Sequence, residues 1–179
     1  MYSAGKVLAE GLLNTFQWVD AAAARHGVGA LGMVESRYVG MKSRGEYQAP
    51  GHSVLLAAHA DLEGICLTGS LIQEKQRRMP DFAQMVYTGH WFDPACESQR
   101  AFIQSTQRAL TGDTRVALYK GNAMIEGRRS DCGLYDFGIA TMNGEGKNYR
   151  QEDASGFIKL HALPLKMRAL RQGPPGQSN

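Results

Sequence analysis

The sequence has no apolar run approaching the roughly 18 residues that a membrane-crossing helix needs. Its opening, Met1-Tyr2-Ser3-Ala4-Gly5, lacks the basic-then-apolar order of a secretory leader. A cytoplasmic chain with no membrane partner is the expectation. Cysteine is scarce: Cys66, Cys96 and Cys132 are widely separated and form no C-x-x-C pair, and no histidine stands at zinc-ligand spacing. All three read as reduced structural thiols, and no metal site is expected. The net charge of +3 is too small to argue for nucleic acid, and the basic cluster Lys75-Gln76-Arg77-Arg78 reads as a solvated helix face. A glycine-rich turn between a strand and a helix, the device that presents backbone N–H groups to phosphates, is also missing. Gly27-x-Gly29 is too short and follows a helix. There is no nucleophile elbow, no Cys/His couple and no internal repeat. Chemistry carried out by this chain alone therefore has little to stand on, and no catalytic residue is assigned.

What is present describes a globular domain. At 179 residues, with 43% apolar and 21% charged side chains, the chain can bury a core of ordinary size. Leu8, Leu12, Phe16, Val19 and Ala23 recur at steps of three and four, predicting a helix over about residues 5–25 that His26-Gly27 ends. Pro50-Gly51 opens a second helix, with Val54, Leu55, Ala58, Leu62 and Ile65 on one stripe. His52 and His59 ride on it two turns apart, loose for a metal site, and read as packing or surface residues. A third helix is predicted over Ser70–Met79, with Pro80 starting a fourth that buries Phe82, Met85 and Val86. Asp93 then looks like an N-cap with Pro94 in the first turn, for a helix running up to Gly112. His90 and Trp91 read as an aromatic plug at the corner before it. Residues 114–119 and 123–128 alternate around Gly121-Asn122 and predict a β-hairpin. Gly144-Glu145-Gly146 reads as a surface turn, Asp153 as the cap of a short helix, Pro164 as the start of a last one, and Gly173–Asn179 as disordered.

Polar chemistry concentrates between Val34 and Tyr47, where Glu35, Arg37, Lys42, Arg44 and Glu46 accompany two tyrosines. The first half alternates like a strand, so Met33, Glu35, Arg37 and Val39 share one face and Val34, Ser36 and Tyr38 the other. Gly40 to Gly45 follows neither period and reads as a loop carrying Lys42 and Arg44. Taken by itself, a Glu–Arg pair beside a cationic loop is usually a solvated surface, worth roughly 0–1 kcal/mol.

The same stretch resembles the argininosuccinate synthase signature V-E-N-R-x-x-G-M-K-S-R-G-x-Y at every fixed position except Ser36. "VYTGHWFDP" from Val86, "LYKGNAMIEGRRS" from Leu118 with "GLYD" after it, and "DASGFIKL" from Asp153 resemble further stretches of that family in the same order. The resemblance implies an α+β fold: several helices packed on a small sheet, with a β-hairpin and a C-terminal helical arm. It implies a partial synthetase, citrulline-binding domain over 1–163, and an oligomerisation arm with a disordered end over 164–179. The activity it implies is an ATP-dependent ligase of arginine biosynthesis that joins citrulline to aspartate, giving argininosuccinate, AMP and diphosphate. In that family the citrulline ureido oxygen is adenylated before the aspartate amine displaces AMP. Glu35 and Tyr47 match positions that contact citrulline. ATP, with the Mg expected beside it, would be held mainly by an N-terminal nucleotide-binding domain that this sequence does not resemble, and the family assembles as a homotetramer. Two departures stand out: Ser36 replaces the usual Asn, and Gly69-Ser70 stands where an Asp-Arg pair is common. The alternative is a non-catalytic oligomerisation or regulatory module.

Overall fold

The computed structural model describes residues 2–3, 6–139, 150 and 152–173. They form two compact units, one up to Leu134 and one from Tyr135 onward. In chain order the first contains β1 (Tyr2–Ser3), β2 (Lys6–Val7), α1 (Leu12–Arg25), β3 (Ala30–Ser36), β4 (Lys42–Gln48), α2 (Pro50–Cys66), α3 (Gly69–Tyr87), α4 (Pro94–Thr106), β5 (Asp113–Tyr119) and β6 (Asn122–Arg129). The second contains α5 (Glu152–His161) and α6 (Leu163–Gln172). The strands pair as three separate antiparallel hairpins, β1–β2, β3–β4 and β5–β6, so the α+β expectation stands. The expected division at 163/164 falls at the start of α6, inside the second unit.

The core sits where α1 and α2 cross over one face of the β5–β6 hairpin. Val19 and Ala23 from α1, Val28 after it and Val54 from α2 are buried together, with Trp18, Val116, Leu118 and Ala123 packed against them. These positions are the lower half of the apolar stripe read from the sequence. Its upper half is open, since Leu12 is 88% exposed, and α1 begins later than expected because Gly11 takes φ +81, outside the helical region.

Close approach of the two helices depends on Gly51. Its N–H is capped by Asp20 Oδ1 at 2.9 Å, and a Cβ placed on it would lie 3.0–3.2 Å from Asp20 atoms. The helix α2 thus takes its N-terminal cap from another helix, which no local motif announces. The expected break at Pro80 does not occur, and α3 runs continuously through it. Proline removes one N–H donor. Arg78 lies over the Phe102 ring before it, and Phe82 lies against Trp91 after it. Asp93 does cap α4, accepting from Ala95 N–H at 2.8 Å, although the helix ends at Thr106 and not near Gly112. The β5–β6 turn is Lys120-Gly121, both with positive φ, and Asn122 is already paired with Tyr119. In α5, Asp153 lies inside the first turn and does not cap it. The turn expected at 144–146 and the tail beyond Gly173 lie outside the described residues.

Candidate functional site

The β3–β4 hairpin carries the Val34–Tyr47 stretch. Its base is closed by Ala49 N–H donating to Gly29 O at 2.9 Å, with Gly29 at φ +83 packed directly against Ala49 and Pro50. Its tip turns through Gly40 at φ +87, with Arg37 N–H donating to Met41 O. The segment expected as a loop from Gly40 to Gly45 is therefore mostly strand β4. It lacks an apolar period because its two faces are lined by small or aromatic residues on one side and charges on the other. The ladder to β3, with Glu35 opposite Ser43 and Leu31 opposite Tyr47, supplies what hydrophobic patterning does not.

Alternation sorts the side chains into two sets. One face holds Leu31, Met33 and Glu35 with Ser43, Gly45 and Tyr47, and the other holds Val34 and Ser36 with Lys42, Arg44 and Glu46. Glu35 and Tyr47, the two residues matched to citrulline contacts, thus share a face, and Tyr47 Oη donates to Glu35 Oε1 at 2.5 Å. Because Glu35 is paired with Ser43, four residues from Tyr47, the two Cα positions are about 13 Å apart along the strand. Only side chains lying flat along the sheet can meet over that span. Arg37 remains on the Glu35 side, donating from Nε to Ser43 Oγ at 3.0 Å.

The electrostatics follow from this geometry. The hydrogen bond to Glu35, then partial desolvation and the Glu35 charge, push the Tyr47 phenol above its ordinary value, against a smaller opposing effect of Arg37. At neutral pH the phenol is a donor, and the Glu35 carboxylate keeps lone pairs for another cation. The cationic half of the stretch faces away: Lys42 Nζ donates to Ser36 Oγ at 2.5 Å and Arg44 pairs with Glu46 at 3.1 Å. Ser36, the departure from the family pattern, is engaged with Lys42 on the face opposite Glu35.

Other polar groups serve different ends. Glu63 on α2 accepts from Lys75 on α3 and, at 2.8 Å, from Gln107 Nε2 at the end of α4. His59 joins this junction through Gln107 Oε1 at 2.7 Å, while His52 packs edge-on against Phe16. Trp91 lies under Arg100 at 4.4 Å, and His90 Nδ1 is 2.7 Å from Thr88 Oγ1. Cys66 and Cys96 are buried, but Cys132 is exposed, which corrects its reading as a structural thiol. Among the described residues no three metal-ligating side chains converge, and no helix is long and apolar enough to cross a membrane. A cleft of about 1060 Å³ opens between α1, α2 and β5–β6, lined by Trp18, Val54, Val116 and Arg128. It includes neither Glu35 nor Tyr47. A shallow hollow of about 230 Å³ lies at the hairpin beside Tyr47 and Leu31. The role of Ser43 and Gly45 escaped sequence reasoning, although the alternation Ser43-x-Gly45-x-Tyr47 marks their shared face.

Residues 5–168 match the arginosuccinate synthase C-terminal domain family. The argininosuccinate synthase of Oleidesulfovibrio alaskensis is 46% identical over 148 residues, which is 83% of this chain and 37% of that protein. That of Pseudomonas fluorescens is 44% identical over 144 residues, 80% of this chain and 36% of the relative. That of Rhodopirellula baltica is 42% identical over 156 residues, 87% and 38% respectively. The chain spans just over a third of the length of the curated relatives it matches.

Proposed function

This chain belongs to the argininosuccinate synthase family through its C-terminal domain, and from that membership we propose that it supplies part of the citrulline site of an ATP-dependent, C–N bond-forming ligase. The observation that carries the reading is the Glu35–Tyr47 pair, brought onto one hairpin face and joined at 2.5 Å. An ionised carboxylate whose second oxygen is open can take a charge-assisted hydrogen bond from the α-ammonium of an amino acid, and the phenol fixes where that carboxylate stands. These residues hold and orient. Orientation matters in a reaction between two amino acids and a nucleotide, where it can contribute roughly 7–11 kcal/mol at best.

Aspartate, ATP and Mg complete the proposed reaction. Among the described residues there is no carboxylate cluster for a cation, and the sequence has no phosphate-cradling loop, so the nucleotide is assigned to a separate nucleotide-binding domain. Within that enzyme the present chain would also make subunit contacts in a cytoplasmic homotetramer. The reading as a non-catalytic assembly module has its own support in α5 and α6, where Phe157, Leu160, Leu165 and Leu170 are each more than 65% exposed.

The test is complementation with a nucleotide-binding domain from a relative. Argininosuccinate should form only when both parts are present, and Glu35→Gln should raise the citrulline KM with little change for aspartate. Loss of a hydrogen bond to a charged group is worth about 1.5–3 kcal/mol, or roughly 10- to 150-fold. An unchanged citrulline KM would return Glu35 to the solvated-surface reading.

A further inference from the structure

The ring of Tyr47 reaches Glu35 by lying along β4, and what it lies across is Gly45. A Cβ built on Gly45 would come within 2.5 Å of Tyr47 Cε2, 2.7 Å of its Oη and 2.8 Å of its Cζ. All three of the nearest heavy atoms belong to that one ring. Gly45 is not in the left-handed region, so its backbone conformation is open to any residue. Inside a strand glycine is otherwise unfavourable, since it costs entropy and packs nothing, and it marks a place where another group approaches closely. Here that group is the phenol two residues away on the same face.

We propose that Gly45 is a positioning residue for the citrulline site: its missing side chain is the floor on which the Tyr47 ring lies, and it sets the phenol against the Glu35 carboxylate before substrate arrives. The proposal rests on the reading of Glu35 and Tyr47 as citrulline contacts, and adds to it a geometric requirement. Non-bonded carbons settle at about 3.5 Å or more, so an added methyl group forces the ring back by about 1 Å. A displacement of about 1 Å takes the 2.5 Å hydrogen bond to as much as about 3.5 Å where it lies along the bond, a length at which a side-chain hydrogen bond is largely lost. Steric demand at one strand position is thereby converted into the protonation behaviour of a tyrosine and the placement of a carboxylate.

Gly32 provides the control. It lies in the partner strand on the opposite face, and a Cβ there meets nothing within 4 Å. Gly32→Ala and Gly45→Ala therefore change strand propensity alike, but only the second disturbs Tyr47. With the full chain labelled at tyrosine Cζ, carbon NMR follows the Tyr47 phenol through its titration, while amide contacts between Met33 and residue 45 verify that the hairpin register persists. In the parent and in Gly32→Ala, Tyr47 should titrate above the ordinary value of 10.0, and in Gly45→Ala it should fall back toward it. An unshifted midpoint in Gly45→Ala, with the register intact, overturns the proposal, as does an equal fall in Gly32→Ala. In the complemented enzyme, Gly45→Ala should raise the citrulline KM about 10-fold or more, as expected for one hydrogen bond to a charged group and matching Tyr47→Phe. If Glu35→Gln and Tyr47→Phe raise that KM and Gly45→Ala does not, the positioning role fails. If none of the three does, the citrulline reading fails instead, while the NMR titration still judges the geometry.

Discussion

Lys75→Met should destabilise the first unit in a way that depends on pH. Glu63 and Lys75 are each only 12% exposed at their side chains and join α2 to α3, with Gln107 at the end of α4 also donating to the carboxylate. Burial by itself disfavours the Glu63 charge, but the hydrogen bonds from Lys75 and Gln107, with the charges of Lys75 and His59, outweigh it and hold the pKa below the ordinary value. Removing one partner of a buried ion pair costs about 3–5 kcal/mol. Glu63 keeps Gln107 and His59, so about 2–3 kcal/mol is the expected loss near neutrality. For a carboxyl group depressed in the folded state, the stabilisation is present above the unfolded value of 4.5 and disappears as pH falls through the lower folded value. In Lys75→Met the burial penalty remains while the largest opposing contribution is gone, so the folded value moves up and that stabilisation shrinks. The difference between parent and variant should be full at pH 7 and smaller at pH 3, on the acid side of the unfolded value of 4.5. Urea unfolding followed by tryptophan fluorescence is suited to this, because Trp18 and Trp91 both lie in the first unit. A difference equal at the two pH values, or under about 0.5 kcal/mol at pH 7, would refute the account of the junction.

Three further outcomes are expected. Asp20→Ala removes the cap on Gly51 N–H and should cost about 0.5–2 kcal/mol in the same unfolding assay, although residue 20 lies on a different helix from the one it caps. An unaffected midpoint would mean that solvent caps α2 equally well. The chain alone should release no diphosphate from ATP in the presence of citrulline and aspartate, and robust turnover without a partner domain would contradict the assignment of the nucleotide elsewhere. Light scattering should show self-association of the full chain that weakens in a version ending at Leu163, because that version lacks the exposed Leu165, Met167 and Leu170 of α6. Identical monomers would leave the arm without a role in assembly.

Where one residue type does one local job, the sequence was readable. Val19 and Ala23 announce the buried stripe of α1, Asp93-Pro94 announces the start of α4, and two alternating runs around a glycine announce β5–β6. What escaped was set by partners distant in the chain. Nothing near Ala49 shows that Asp20 will cap α2. The residues flanking Pro80 in α3 contact Phe102 and Trp91, which lie beyond that helix. Strand β4 carries no apolar stripe because its hairpin is not packed into the core, so the signal used to find strands is missing from it. The sequence singled out Glu35 and Tyr47 but not their juxtaposition on one hairpin face, with the Tyr47 ring lying across Gly45.

If Glu35 and Tyr47 serve as proposed, the exposure of their hairpin predicts that the chain alone binds citrulline weakly. Tyr47 is 45% exposed, with Leu31 at 55% and Met33 at 40% beside it on the same face. Two unit charges at 4 Å attract by about 1 kcal/mol in bulk water, but by about 4 kcal/mol at the effective dielectric of a partly covered protein surface. An ammonium group meeting Glu35 on an open hairpin therefore gains little over its own hydration. The apolar side chains flanking the pair give a covering surface something to pack on, and covering would raise the value of the same Glu35–ammonium contact without moving either group. Tight use of citrulline is thus expected to emerge together with the partner domain. Glu35→Gln should accordingly matter far more in the complemented enzyme than in any weak binding by the chain alone.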